Sequence, residues 1–168
     1  SKIQIGKLTL NKTNFDLVAM LNEVVESNSQ FASEKKLTLD FEQPKEEILL
    51  YADKEKLEQA TDALINNAIK FTNEDGRVKV IVNNLSKEIE IIISDTGIGI
   101  PEKDLPYIFQ KFYRVSRPGT EIPGTGIGLV FVKQIIDLHK GLISVQSESG
   151  NGTTFVVRLL KNIGIKNS

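Results

Sequence analysis

The chain has 168 residues, 40% of them hydrophobic and 26% charged, with 21 Lys and Arg against 22 Asp and Glu for a net charge of −1. Such usage is ordinary for one globular domain and argues against disorder, and a chain of this length buries roughly 70% of its unfolded surface. The charge balance excludes the basic surplus that drives binding to nucleic acid or anionic membrane, and zero Cys excludes a disulfide scaffold and any cysteine metal site.

A single His, His139, would have to serve every imidazole-based metal site or catalytic triad. No apolar run approaches the ~18 residues of a membrane span, and Ser1-Lys2 does not begin a signal peptide. Without an initiator Met, the sequence is expected to be a piece of a larger protein.

In chain order, Lys7-Leu8-Thr9-Leu10 is a short strand candidate ending in the polar stretch Asn11 to Asn14. Asp16 is placed to cap a helix through about Lys35, with Leu17, Met20, Leu21, Val24, Val25 and Phe31 at helical spacing. Strands follow at Leu37 to Phe41 and Ile48 to Ala52, separated by Gln43-Pro44-Lys45. Asp53 then caps a second helix to about Phe71, stopped by Asn73-Glu74-Asp75-Gly76.

Val78 to Val82 and Ile89 to Ile93 pair around the turn Asn84 to Lys87. After Thr96 to Pro101 comes a short helix through Phe112, then a loop from Ser116 to Thr125 broken by Pro118, Gly119, Pro123 and Gly124. Gly126 or Ile127 starts a third helix ending near His139, with Gly141 as its stop and His139 in a capping role. Strands Leu142 to Ser147 and Thr153 to Leu159 flank Gly150-Asn151-Gly152. Strand pairs read as hairpins, alternating with helices, predict an α+β fold: a two-layer α/β sandwich, its mixed, mostly antiparallel sheet covered by helices on one face.

Six of the twelve glycines lie between Asp95 and Leu129. Such clustering admits a ligand close to the main chain, or simply tight turns; one cluster does not separate the two. The stretch Gly124 to Leu129 opens into a helix, whose free N–H groups and dipole make an anion site. Asp95, at the end of Ile91-Ile92-Ile93, offers acceptors only and suits the exocyclic amine of adenine rather than the carbonyl of guanine.

On the second helix, Asn66 and Asn67 each cost roughly 0.6 kcal/mol relative to Ala. Leu57, Ala60, Leu64, Ala68 and Phe71 define the buried stripe, which leaves Asn66 solvated and Asn67 at the edge with Ala63 and Lys70. An amide oxygen and an ammonium on one flank suit a metal-bound triphosphate, since Mg²⁺ takes hard oxygens and phosphates. A solvated polar flank is the other reading. Arg114 and Arg117 are loop cations within possible reach of phosphates, and Phe109 and Phe112 are expected in the core.

Taken in order, these segments resemble the ATP-binding domain of bacterial sensor histidine kinases, within a superfamily that includes gyrase-type topoisomerases, heat-shock chaperones and mismatch-repair ATPases. The resemblance rests on Leu64-Ile65-Asn66-Asn67-Ala68-Ile69-Lys70-Phe71-Thr72, on Asp95-Thr96-Gly97-Ile98-Gly99-Ile100-Pro101 and on Ile108-Phe109-Gln110-Lys111-Phe112-Tyr113-Arg114. Gly124 to Leu129 and Gly150-Asn151-Gly152-Thr153-Thr154-Phe155 complete it.

The resemblance implies that residues 7–160 form the ATP-binding domain, with 1–6 as the tail of an upstream dimerisation hairpin or a linker and 161–168 as a C-terminal tail. It implies Asn67 as the Mg²⁺ ligand, Lys70 on the phosphates, Asp95 on the adenine amine with Gly97 and Gly99 against the ring, and Thr153 in support. Gly124, Thr125, Gly126, Gly128 and Leu129 correspond to the phosphate-holding stretch. Tyr113 and Arg114 lie near ribose and phosphates, and Val115 to Pro123 is the ATP lid. ATP and Mg²⁺ are the implied cofactors. The implied partners are a histidine-bearing dimerisation domain and a response regulator receiver domain, with no nucleic acid and no direct membrane contact, in the cytoplasm.

Two departures stand out. Ala63 stands one helical turn before Asn67, where such kinases commonly carry Asn and hydrolytic relatives a water-activating Glu. Lys140 replaces a glycine common after the histidine, an exchange read as neutral. The implied reaction is transfer of the γ-phosphoryl group of ATP to a histidine outside this chain. The rivals are a hydrolytic ATPase of the same superfamily and a non-catalytic nucleotide-binding module.

Overall fold

Two aspartates set the helical layer. In the computed structural model, which describes residues 9–116 and 128–161, Asp16 Oδ1 accepts from Val18 N at 3.0 Å and starts α1 (Leu17–Ser27). The same oxygen accepts from Ile48 N at 3.2 Å, tying that helix start to β3 (Leu49–Ala52). Asp53, 3% exposed, caps α3 (Lys54–Lys70) through Lys56 N and holds Asn11 N on its other oxygen. Its carboxyl lies below the usual range: burial pushes it up, but the amides of Asn11 and Lys56 and the Lys56 charge outweigh that.

The helix expected through Lys35 breaks at Asn28, giving α1 and a short α2 (Ser29–Glu34). The buried Asn28 amide donates to Val24 O and Asp62 Oδ1, so its side chain competes with helix continuation. The first strand, β1 (Thr13–Asp16), lies beyond the Thr9-Leu10 end of the expected one; Lys7 and Leu8 fall outside the described residues.

A larger correction concerns β2 (Thr38–Glu42) and β3, which form no hairpin. β3 pairs antiparallel with β1 in a two-stranded sheet, while β2 pairs parallel with β4 (Arg77–Asn84). Gln43-Pro44-Lys45 supplies no Gly or Asn for the left-handed positions of a tight hairpin turn, and the chain instead passes between sheets. The other two pairs are hairpins as expected: β4 with β5 (Glu88–Asp95), and β6 (Leu142–Ser147) with β7 (Thr153–Leu160).

The five-stranded sheet runs β2-β4-β5-β7-β6, antiparallel except at β2–β4. Alternate residues, among them Val78, Val80, Ile89, Ile91, Ile93, Phe155 and Val157, are buried under α1, α3 and α4 (Gly128–Leu138). Ion pairs such as Arg77–Asp40 and Arg158–Glu90 stand on the outward positions. The architecture is therefore the expected sandwich with a mostly antiparallel sheet. It also places the ends of β5 and β7 beside the C-terminal end of α3, where Ile98 N donates to Phe71 O at 3.0 Å.

α4 ends as its last residues suggest, with one difference. His139 Nδ1 lies 2.9 Å from Ile135 O, and its Nε2 accepts from Asp53 N at 3.1 Å, so the proton sits on Nδ1. His139 therefore caps α4 and fastens it to the start of α3. The left-handed residue after the helix is Lys140 (φ 59), not Gly141. The exchange of glycine for Lys140 is thus not conformationally neutral, because a Cβ carries a cost in that region. Gly141 serves another need: a Cβ there would press on Arg158 O and Leu159 of β7.

Candidate functional site

Asp95 ends β5 on the helix-covered side of the sheet, opposite Thr153 in register. Its Oδ1 accepts from Gly97 N at 2.8 Å and from Thr153 N at 3.1 Å. Oδ2 accepts no hydrogen bond from the described residues. Burial raises the Asp95 carboxyl above its usual value, and the two amides pull it back. One oxygen fixes the group; the other is left for something else.

The glycines around Asp95 are there for contact. A Cβ on Gly97 would run into Phe71 O, and one on Gly152, already left-handed at φ 80, into the Asp95 carbonyl. Gly99 (φ 75) similarly lies against the Glu148 carbonyl. These close approaches join the strand ends to α3 and to the β6–β7 turn, where Gly150 N donates to Ile98 O at 2.7 Å.

Behind Thr153 stands a residue absent from the expected site. Ser147 Oγ accepts from Ile100 N at 2.8 Å, donates to Gly152 O at 2.8 Å and lies 2.8 Å from Thr153 Oγ1. In an alternating strand a serine reads as solvated. The usable signal was parity, because Ser147 shares its face with Ile143 and Val145, both of which pack on the core.

On α3, Asn67 and Lys70 are half-buried on one flank, as expected. Asn66 is half-buried as well rather than solvated, because α3 is flanked by both α1 and α4 and less of its circumference meets water. The buried stripe is correspondingly wider, adding Thr61, Ile65 and Ile69, while Phe71 at its end is half-buried. The Asn67 side chain makes no hydrogen bond within the described residues. The Lys70 ammonium lies 5.9 Å from the Phe71 ring centre. Burial first, and the Arg114 guanidinium second, depress its pKa below the usual lysine value. An anion beside the Lys70 ammonium would offset both effects.

Tyr113 returns toward a 3₁₀ turn (Glu102–Tyr107), where its hydroxyl donates to Asp104 Oδ1, a bond that raises the Tyr113 pKa. Asp104 is 5% exposed, and its Oδ2 has no hydrogen-bond partner among the described residues. The expected helix through Phe112 is therefore only this short turn. Phe112 is left-handed (φ 67) and 62% exposed, so it is not a core residue; Phe109 is, with its ring edge-on to Phe155 at 6.3 Å. Gly128 begins the described part of α4, where an added Cβ would meet none of the described residues, and Leu129 packs on the core. Gly124, Thr125, Gly126, Ile127 and Arg117, with most of the expected lid, fall outside the described residues.

The donor set can be tested for magnesium. No cluster of three or more His, Cys, Asp or Glu able to hold a metal exists among the described residues. The Asn67 amide oxygen, unpartnered among the described residues, is a hard donor, and Ala63, packed toward the core one turn earlier, adds none. Such a site fits Mg²⁺ held largely by waters and phosphates and does not fit a metal caged by protein alone.

Residues 52–163 match the histidine kinase-, DNA gyrase B- and HSP90-like ATPase family. The chain belongs to this family. It is 35% identical over 160 residues to the sensor histidine kinase YclK of Bacillus subtilis, covering 94% of this chain and 33% of that protein. The chain therefore spans about a third of the length of that relative. Among solved structures, the catalytic domain of histidine kinase ThkA superposes with a TM-score of 0.79 at 26% identity, covering 90% of this chain and 98% of that one. ThkA is also known in complex with the response regulator protein TrrA, with a TM-score of 0.76 at 25% identity, 90% of this chain and 42% of that one being covered. Full-length ShkA in complex with AMPPNP matches with a TM-score of 0.77 at 26% identity, over 92% of this chain and 32% of that one. The relatives of this ATPase-family domain are two-component sensor kinases. No helix among the described residues is long and apolar enough to cross a membrane.

Proposed function

We propose that this domain, residues 7–160, holds Mg-ATP between the Asn67 flank of α3 and the strand ends, and presents its γ-phosphoryl group to a histidine nitrogen on an upstream dimerisation domain. The observation that carries the reading is Asp95: one carboxylate oxygen is clamped by two main-chain amides, and the other is unpartnered among the described residues. An ionised carboxylate accepts only, so its free oxygen suits the exocyclic amine of adenine. Gly97 and Gly99 keep the adjoining main chain bare of side chains, and Thr153 stands beside the carboxylate.

At the other end, Lys70 and Arg114 take the triphosphate charge, and Asn67 contributes its amide oxygen to the metal. Magnesium, when bound, neutralises phosphate charge. The chain's own part is to bind, orient and exclude water, as is general in phosphoryl transfer, where positioning and electrostatics supply most of the rate. Gly124, Thr125, Gly126, Gly128 and Leu129 supply further amides, and Tyr113 borders the ribose. The AMPPNP complex of ShkA and the response regulator complex of ThkA support a nucleotide and a receiver domain as partners. ATP supply puts the domain on the cytoplasmic side.

Ala63 disfavours the hydrolytic reading, since a methyl packed toward the core cannot orient a water. The test supplies a histidine-bearing dimerisation domain from a relative together with γ-labelled ATP. Label on the histidine domain is the expected result. An unlabelled partner beside normal ATP binding overturns the kinase reading, and steady phosphate release without a partner favours hydrolysis.

A further inference from the structure

Ser147 lies behind the groups that face the ligand, and its hydroxyl has one proton for three neighbours. Ile100 N donates to Ser147 Oγ at 2.8 Å. Gly152 O, a carbonyl that can only accept, lies 2.8 Å away and takes the Ser147 proton. With that proton on Gly152 O, the remaining contact, 2.8 Å between two hydroxyls either of which can donate, is filled by Thr153 donating to Ser147. Thr153, 6% exposed, is left with lone pairs only.

The consequence falls beside Asp95. Thr153 is its register partner, and its amide is bonded to Asp95 Oδ1. On the adenine reading, the edge that carries the Asp95 carboxylate also carries, on its register partner Thr153, a hydroxyl that can only accept. Adenine offers an amine at the matching exocyclic position, whereas guanine and hypoxanthine offer a carbonyl oxygen, which finds no proton there. A freely rotating threonine would supply one.

We propose that Ser147 is a specificity-determining positioning residue: by holding Ile100 N and Gly152 O, it locks the Thr153 hydroxyl as an acceptor and so rejects purines that bear a carbonyl in place of the amine. This inference rests on the adenine reading of Asp95 and adds to it a residue that need not touch the nucleotide.

The test is calorimetric titration of the 168-residue chain with Mg-ADP and Mg-IDP. Ser147→Ala frees the Thr153 rotor, so the ADP:IDP preference is expected to narrow by roughly 3- to 10-fold, the worth of one hydrogen bond. Ser147→Thr, which keeps the hydroxyl, is expected to preserve it. A folded Ser147→Ala protein with an unchanged preference overturns the proposal. Thr153→Val tests the polarity without touching Ser147: removal of an acceptor narrows the preference, and removal of a donor widens it. Widening overturns the proposal whether or not Ser147→Ala folds. Asp95→Asn separates the two layers. If it leaves ADP affinity untouched, the adenine reading fails. If it collapses the preference while Ser147→Ala and Thr153→Val do not, only the Ser147 inference fails.

Discussion

At the strand ends, Asp95, Gly97, Gly152, Thr153 and Ser147 are knitted together by two main-chain amides, a carbonyl and a pair of hydroxyls at 2.8 to 3.1 Å. Across the site on α3, the Asn67 side chain has no hydrogen-bond partner among the described residues, and the Lys70 pKa is depressed by burial and by Arg114. The first region is satisfied before a ligand arrives, with a single oxygen left open. The second holds an amide with no side-chain hydrogen bond among the described residues and an ammonium whose charge is disfavoured. A base is flat and must be read by groups already in place, while phosphate and metal bring enough charge to organise their own surroundings. The difference teaches where substitutions act: at the strand ends they damage the fold and the site together, and on α3 they damage the site alone.

The largest expected effect breaks that contrast at its stiffer side. Gly152→Ala forces a Cβ toward the Asp95 carbonyl from a left-handed residue and is expected to cost on the order of 3 kcal/mol of stability in urea unfolding. An alanine variant as stable as the parent would contradict the close packing. Asp95→Asn should weaken ADP binding by about 1–3 kcal/mol, because the replacement aims an amide where an acceptor is required. Calorimetry checks it, and equal affinity refutes the assignment. Asn67→Ala should leave the melting temperature nearly unchanged and remove the Mg²⁺-dependent part of nucleotide affinity, about 1 kcal/mol for one lost oxygen ligand. Unchanged metal dependence would count against it.

Two smaller effects concern the α4 terminus. Burial holds the His139 pKa below its ordinary 6.5. Below that pH the unfolded chain binds a proton that the folded chain resists, so stability is complete above 6.5 and falls as the pH is lowered through this window. The decline, about 1 kcal/mol for one part-buried hydrogen bond, should vanish in His139→Gln when urea midpoints are compared across the pH range. Lys140→Gly relieves the left-handed side chain and should raise stability by about 0.5–1 kcal/mol, read from the same midpoints.

Periodicity carried much of this into view. Alternation in Val78 to Val82 and Ile89 to Ile93 gave the central strands, and the caps at Asp16 and Asp53 gave the helix starts to the residue. What stayed hidden depended on contacts between distant segments. The break at Asn28 needs Asp62, 34 residues away. The separation of β2 from β3 depends on which sheet each joins, which local pattern does not encode. Phe112 looked like core because hydrophobicity was read without its left-handed backbone. Ser147 reads as one more strand serine, because its importance lies in where one proton goes.

The pairing of Asp95 with Thr153 is also one rung of the β5–β7 ladder. Sliding β7 by a single residue would turn Thr153 to the opposite face and put Phe155 and Val157 into water. The apolar interior thus proofreads the alignment of the proposed recognition edge: a chain that has misthreaded this strand pair cannot both bury its hydrocarbon and set Asp95 against Thr153.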